Sequence, residues 1–129
     1  MEANAGRRLA EIEAQAGSRA HFVSRHGSQT TLEQQFTRAT TGLTPDGRTF
    51  RPVDASRFLD NRAQLNAVQS AQEIFERTGQ RVFSFDAGST IGEGFARGGG
   101  DLIQTTNVRA VFDTNGNLRT LFPLLSPLP

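Results

Sequence analysis

Along the first two thirds of the chain apolar residues recur every three or four positions, and in the last third they alternate. Leu9, Ile12 and Ala16 lie at helical spacing among good helix formers, which predicts a helix over residues 2–15, stopped by Gly17. Residues 20–24 are short and apolar and fit either a strand or a helical continuation. Thr30 followed by Glu33 matches a capping box, in which a hydroxyl caps an early N–H and a carboxylate reaches back. A second helix is therefore expected over residues 31–41, with Leu32, Phe36 and Ala39 as its apolar stripe and Gly42 as its end. Residues 44–56 form a loop with a turn at Pro45-Asp46-Gly47, and Ser56-Arg57-Phe58 reads as a short strand. Asp60 or Asn61 caps a third helix over residues 62–78, which buries Leu65, Val68, Ala71 and Phe75 and ends at Gly79.

Beyond residue 80 the pattern is β. Residues 81–85 alternate, residues 90–96 form a weaker strand loosened by Gly92 and Gly94, and Gly98-Gly99-Gly100 reads as a loop or bulge. The clearest hairpin pairs residues 108–113 with 118–122 about an Asn115-Gly116 turn. That turn would set Asp113 opposite Leu118, Val111 opposite Thr120 and Arg109 opposite Phe122. One face then carries Arg109, Val111, Thr120 and Phe122, and the apolar face carries Val108, Ala110, Phe112 and Leu121. Helices first and strands last predict an α+β fold, with N-terminal helices packed on one face of a C-terminal antiparallel β-sheet. Residues 1–19 read as an N-terminal helix or the remnant of a linker, and residues 20–129 as one domain.

Composition narrows the chemistry. The chain has no cysteine, which excludes disulfides, thiolate catalysis and cysteine-ligated zinc. With two histidines no His-rich metal site is expected, a carboxylate site for a hard cation stays open, and no cofactor is predicted. The polar, charged N-terminus does not read as a signal peptide, and no apolar run is long enough to cross a membrane. All 14 basic residues are arginine, a bias that suits either a GC-rich coding sequence or bidentate phosphate recognition, and a catalytic lysine is ruled out. The net charge of +1 argues against a general nucleic-acid binder and for recognition concentrated in a local cleft.

Both histidines fall in one stretch, with His26-Gly27 placed just before the expected helix start and Arg38 on that helix. An imidazole, a helix N-terminus and a guanidinium together suit chemistry on a phosphate ester. The structural alternatives are a core histidine at His21, a cap or turn residue at His26 and a surface arginine at Arg38.

The order of motifs extends this picture. His21 and His26 form an H-x4-H segment, Arg38 follows one helix later, and Ser56-x-Phe58 precedes a long helix. Ile91-Gly92 sits in a strand, and Thr120-x-Phe122-Pro123 closes the last one. From His21 to Pro123 this resembles the ribonuclease A-like C-terminal toxin domains of contact-dependent growth inhibition proteins. More broadly it resembles the polymorphic-toxin nucleases of the barnase/EndoU/colicin/RelE group. The resemblance implies a metal-independent endoribonuclease domain, delivered as part of a larger secreted effector and acting in the target-cell cytoplasm. It also implies an RNA substrate, with tRNA as one candidate, and a cognate immunity protein that covers the His26 region. The family's His, Arg, Thr and Tyr positions correspond to His26, Arg38, Thr120 and Phe122, with His21 matching the first of the paired histidines. Phe122 lacks the family's hydroxyl, and the lysine of the EndoU branch has no counterpart here.

Under that resemblance His26 is the base for the 2′-hydroxyl, and Arg38 stabilises the phosphorane. Thr120 donates to a phosphate oxygen, and His21 is the candidate acid. Arg25, Arg109 and Phe122 are the expected substrate contacts. Two other readings stay open. Arg25-His26-Gly27 after an apolar segment also resembles the opening of histidine phosphatases, but no histidine follows it. A non-catalytic binding or immunity-type module would leave His26, Arg38 and Thr120 scattered.

Overall fold

Asp60 caps the longest helix with its side chain, and Gly79, in the left-handed region, ends it. In the computed structural model, which describes residues 2–16 and 22–128, this is α4 (Asn61–Thr78). It follows α1 (Glu2–Ala16), α2 (Phe22–His26), α3 (Leu32–Thr41) and the strand β1 (Ala55–Phe58). After it come β2 (Val82–Asp86), β3 (Gly92–Phe95), β4 (Ile103–Thr105), β5 (Asn107–Phe112) and β6 (Leu118–Pro123). The fold is α+β.

In place of the single expected sheet there are two antiparallel three-stranded sheets, ordered β1-β3-β4 and β2-β5-β6. The division has a local cause. β1 pairs with β3 across α4, while the hairpin pairs with β2, so no strand serves both ladders. The two sheets are tied where Ser56 Oγ donates to the Pro123 carbonyl at 2.7 Å. A β-carbon at Gly92 would overlap the Pro123 ring, so the Ile-Gly pair permits this approach. Within the first sheet Arg57 of β1 pairs with Glu93 of β3 at 2.8 Å and also donates to the Thr30 carbonyl.

Val108, Ala110, Phe112 and Leu121 are buried on the inner face of the hairpin sheet, as its alternation predicts. They share one core with Leu9 and Ile12 of α1, Phe22 of α2 and Leu65, Val68 and Ala71 of α4. α1 packs against α4, and Glu2 accepts from the first backbone N–H groups of α4, at 2.6 Å from Asn61 and 3.0 Å from Arg62. Residues 22–24, ambiguous in sequence, are helical in α2. Gly17, Ala20 and His21 lie outside the described residues.

Three local expectations are corrected. The capping box is Thr31 with Gln34, one residue later than Thr30 with Glu33. Thr30 is buried, where its hydroxyl donates to the Gly27 carbonyl and accepts from Gln35, so a tertiary contact claims it. α3 buries Gln35 and Ala39 and leaves Phe36 42% exposed, edge-on to Phe95, because the Gln35 amide turns inward to bond Arg25 and Thr30. In the hairpin, Gly116 N donates to the Asp113 carbonyl and Asp113 pairs with Asn117, so the loop has three residues, with Gly116 at φ +82°. Phe112 rather than Asp113 then faces Leu118. A bulge at Arg119 restores the expected Val111–Thr120 and Arg109–Phe122 pairs.

Candidate active site

The site is built on α2, too short to stand alone and held by side chains from three other helices. Glu13 of α1 accepts from the N–H groups of Val23 at 2.7 Å and Ser24 at 3.4 Å. Gln64 of α4 donates to the Phe22 carbonyl at 3.1 Å, and Gln35 of α3 donates to the Arg25 carbonyl at 2.8 Å. A carbonyl can only accept, so each amide's orientation is set, and each leaves its Oε1 without a hydrogen bond. Phe22 anchors the helix in the core with no exposed surface. His26 is therefore the last residue of a pinned helix. Residues 27–31 separate it from the N-terminus of α3, where the Thr31 hydroxyl accepts from the Gln34 N–H.

His26 is 5% exposed. Its Nδ1 lies 2.8 Å from the Ser56 carbonyl, which fixes the proton on Nδ1 and leaves a lone pair on Nε2. That lone pair faces Arg38 Nη1 at 3.4 Å. Burial first, and then the Arg38 charge, hold the imidazole down to about pKa 3, well below its usual near-neutral value. Burial, followed by the Arg25 charge, also lowers the Arg38 guanidinium, which nonetheless stays protonated at neutral pH. Among the described residues Arg38 makes no ion pair. Its neighbour Arg25 pairs with Asp46 at 3.3 Å.

Around His26 opens a cleft of about 480 Å³. Arg25, His26 and Arg38 line it from the helices, and Val111, Arg119, Thr120 and Phe122 from the hairpin. Val53 and Asp54 close it from the loop before β1. The Phe122 ring lies 5.3 Å from the His26 ring. The Thr120 hydroxyl makes no hydrogen bond among the described residues.

Five of the seven residues singled out from sequence thus line one cleft, although they come from three elements and span residues 25–122. Arg109 does not line it; it shares a sheet face with Phe122 and donates to Ser84 Oγ at 3.1 Å. His21 lies outside the described residues. Sequence reasoning missed Asp54 and Arg119. Asp54 sits in the long loop, where its carboxylate accepts from the Arg97 N–H at 2.8 Å. Strict alternation puts Arg119 on the apolar face, and only the bulge beside it turns it to the cleft. Neither carried a motif.

No protein-family model matches the sequence, and no curated protein matches it. The fold is similar to that of a chain in the crystal structure of the CdiA-CT/CdiI complex from Y. kristensenii 33638, with a TM-score of 0.53 and 18% sequence identity. The likeness covers 81% of this chain and 99% of that one, and at this identity it is a likeness of fold.

Proposed function

We propose that the chain is a metal-independent endoribonuclease toxin domain of a contact-dependent growth inhibition effector. The observation that carries the reading is the meeting of His26, Arg38, Thr120 and Phe122 in one cleft, four residues that a motif resemblance selects from separate elements. The fold likeness to a CdiA-CT/CdiI complex chain supports the same assignment.

The chemistry follows from the tautomer. Nε2 of His26 is unprotonated and takes the proton of a ribose 2′-hydroxyl. The 2′-oxygen attacks the adjacent phosphorus, the bond to the 5′-oxygen breaks, and a 2′,3′-cyclic phosphate is left. Arg38 meets the charge that gathers on the phosphorane, and the Thr120 hydroxyl donates to a non-bridging oxygen. A bound phosphate draws the guanidinium away from Nε2 and offsets its charge, so the imidazole becomes more basic when substrate is present than in the free protein. By the resemblance, His21 returns a proton to the leaving 5′-oxygen. Arg25 and Phe122 border the bound nucleotide, and Arg109 contacts the chain beyond the cleft. A cognate immunity protein, acidic to complement the arginines, covers the His26 region in the producing cell.

The test is incubation of the purified protein with tRNA, rRNA and DNA, with and without chelator. RNA cleavage that is indifferent to EDTA is expected. His26→Ala should remove most activity, and Arg38→Ala should reduce it by about two to three orders of magnitude. Thr120→Val should weaken it with the fold intact. His21→Ala should approach the His26 loss and change the acid limb of the pH–rate profile if His21 is the acid. Cleavage that vanishes with EDTA, or that persists undiminished in both the His26 and Arg38 variants, overturns the assignment.

A further inference from the structure

A second groove of about 590 Å³ runs on from the cleft, sharing Arg25, Arg38 and Val53 with it and adding Thr49, Phe50 and Arg51. Its distinctive feature is Phe50, a large aromatic residue left 54% exposed. The ring is held in place. Phe50 N donates to the Gly42 carbonyl at 2.9 Å, and a Leu43–Thr49 bridge closes the short loop between them. The Arg25 guanidinium lies over the ring at 5.2 Å from its centroid and that of Arg48 at 6.0 Å, and Arg25 is itself fixed by Asp46. Val53 extends the apolar surface and is 38% exposed. Arg51 lines the same groove and makes no ion pair among the described residues.

An exposed aromatic plane bordered by guanidinium groups has the two parts needed to bind a nucleotide. The ring offers a stacking face to an unpaired base, and the arginines meet the phosphates on either side. Because Arg25 and Arg38 border both hollows, a phosphate held between them has the His26 cleft on one side and the Phe50 ring on the other. We infer that Phe50 is a nucleobase platform for the nucleotide next to the scissile phosphate, so that the substrate is RNA with at least one unstacked base beside the cleavage point. This rests on the reading of the His26 cleft as a ribonuclease site. The charge of the groove and its continuity with the cleft favour RNA over a protein segment as occupant.

The experiment measures binding of short single-stranded oligonucleotides, 2′-O-methylated so that they cannot be cleaved. Each is compared with an abasic oligomer of the same length and charge, in the unmutated protein and in Phe50→Ala, Phe50→Leu and Phe50→Trp. Phe50→Ala and Phe50→Leu should weaken binding of the base-bearing oligomer by about five- to a hundredfold, while Phe50→Trp retains it. The abasic oligomer should bind all four proteins alike. Equal affinity of Phe50→Ala and the unmutated protein for the base-bearing oligomer overturns the platform, as does an equal loss on both oligomers. Variants that bind RNA normally but lose a neutralising protein also overturn it, and mark Phe50 as a protein contact. Cleavage of ordinary RNA is scored separately. A protein that shows the Phe50-dependent preference but cleaves no RNA retains the base site and loses the ribonuclease reading, and a protein that cleaves RNA without that preference does the reverse.

Discussion

At the C-terminal end of α2 the imidazole of His26 gives its Nδ1 proton to Ser56 and turns its lone pair toward Arg38. Being buried beside a cation, it is neutral when folded down to about pH 3, whereas in the unfolded chain it gains a proton near 6.5. The unfolded state therefore binds more protons between these values. The contribution of His26 to stability is fully present above about pH 6.5 and is lost as the pH falls toward 3, by up to about 1.4 kcal/mol per pH unit. Denaturation midpoints followed over this window should fall more steeply for the unmutated protein than for His26→Gln; parallel curves would show that the imidazole is not held neutral. Phe122 supports a second prediction at this scale. Its ring borders the cleft 5.3 Å from the His26 ring, and the resembled family carries a hydroxyl at this place. On the proposed ribonuclease reading, Phe122→Tyr should leave the fold unchanged and raise kcat/KM about tenfold, the worth of one hydrogen bond to a charged phosphate. A rate equal to or below that of the unmutated protein would show that the hydroxyl has no role here.

α2 is the element on which the site depends, and its own five residues cannot hold it. Its first N–H groups are satisfied by Glu13, and its carbonyls by Gln64 and Gln35. Glu13→Ala should cost about 1–2 kcal/mol, as losses of helix caps do. Gln64→Leu should cost about 0.5–1.5 kcal/mol by removing the side-chain bond that ties the Phe22 carbonyl to α4. On the proposed ribonuclease reading both should slow cleavage at temperatures where the protein is still folded, because Arg25 and His26 ride on α2; urea titration beside rate measurement checks this. Unchanged stability in both variants would mean that α2 is held by Phe22 alone. None of these pairings could be read from the chain. A glutamine at a core-facing helical position scores as polar, and α3 was expected to turn Phe36 inward where Gln35 sits. The hairpin shows the same limit in a milder form. Its faces follow from alternation, but the three-residue loop and the Arg119 bulge shift the register and then shift it back, which no pattern of apolar residues reveals.

In the whole molecule α1 is part of the core. Leu9 has no exposed surface, Ala5 and Ile12 are buried with it, and Glu2 and Glu13 cap the helices that α1 packs against. Leu9→Ala should destabilise the protein by about 2–5 kcal/mol. That is a large share of the roughly 5–15 kcal/mol that holds an ordinary domain. Deleting residues 2–16 should abolish cooperative unfolding, as measured by circular dichroism during a thermal melt. A truncated protein that melts cooperatively would show α1 to be a dispensable extension.

The sequence by itself determined the α+β class, the helices α1, α3 and α4 with the end signals of α4, the inner face of the hairpin, and five of the residues that meet in the cleft. These depend on local rules: spacing that puts apolar side chains on one face, glycine where the backbone turns left-handed, and a short ordered set of motifs. The tertiary structure alone decided that the strands divide into two sheets joined at Ser56 and Pro123, and that Thr31 rather than Thr30 caps α3. It also decided that Arg119 and Asp54 enter the cleft while Arg109 stays outside. It set the proton of His26 as well, since that proton depends on a carbonyl 30 residues away and on a guanidinium carried by another helix. Hydrogen bonds and charge interactions of this kind act through space, and their strength depends on burial that exists only once the chain has folded.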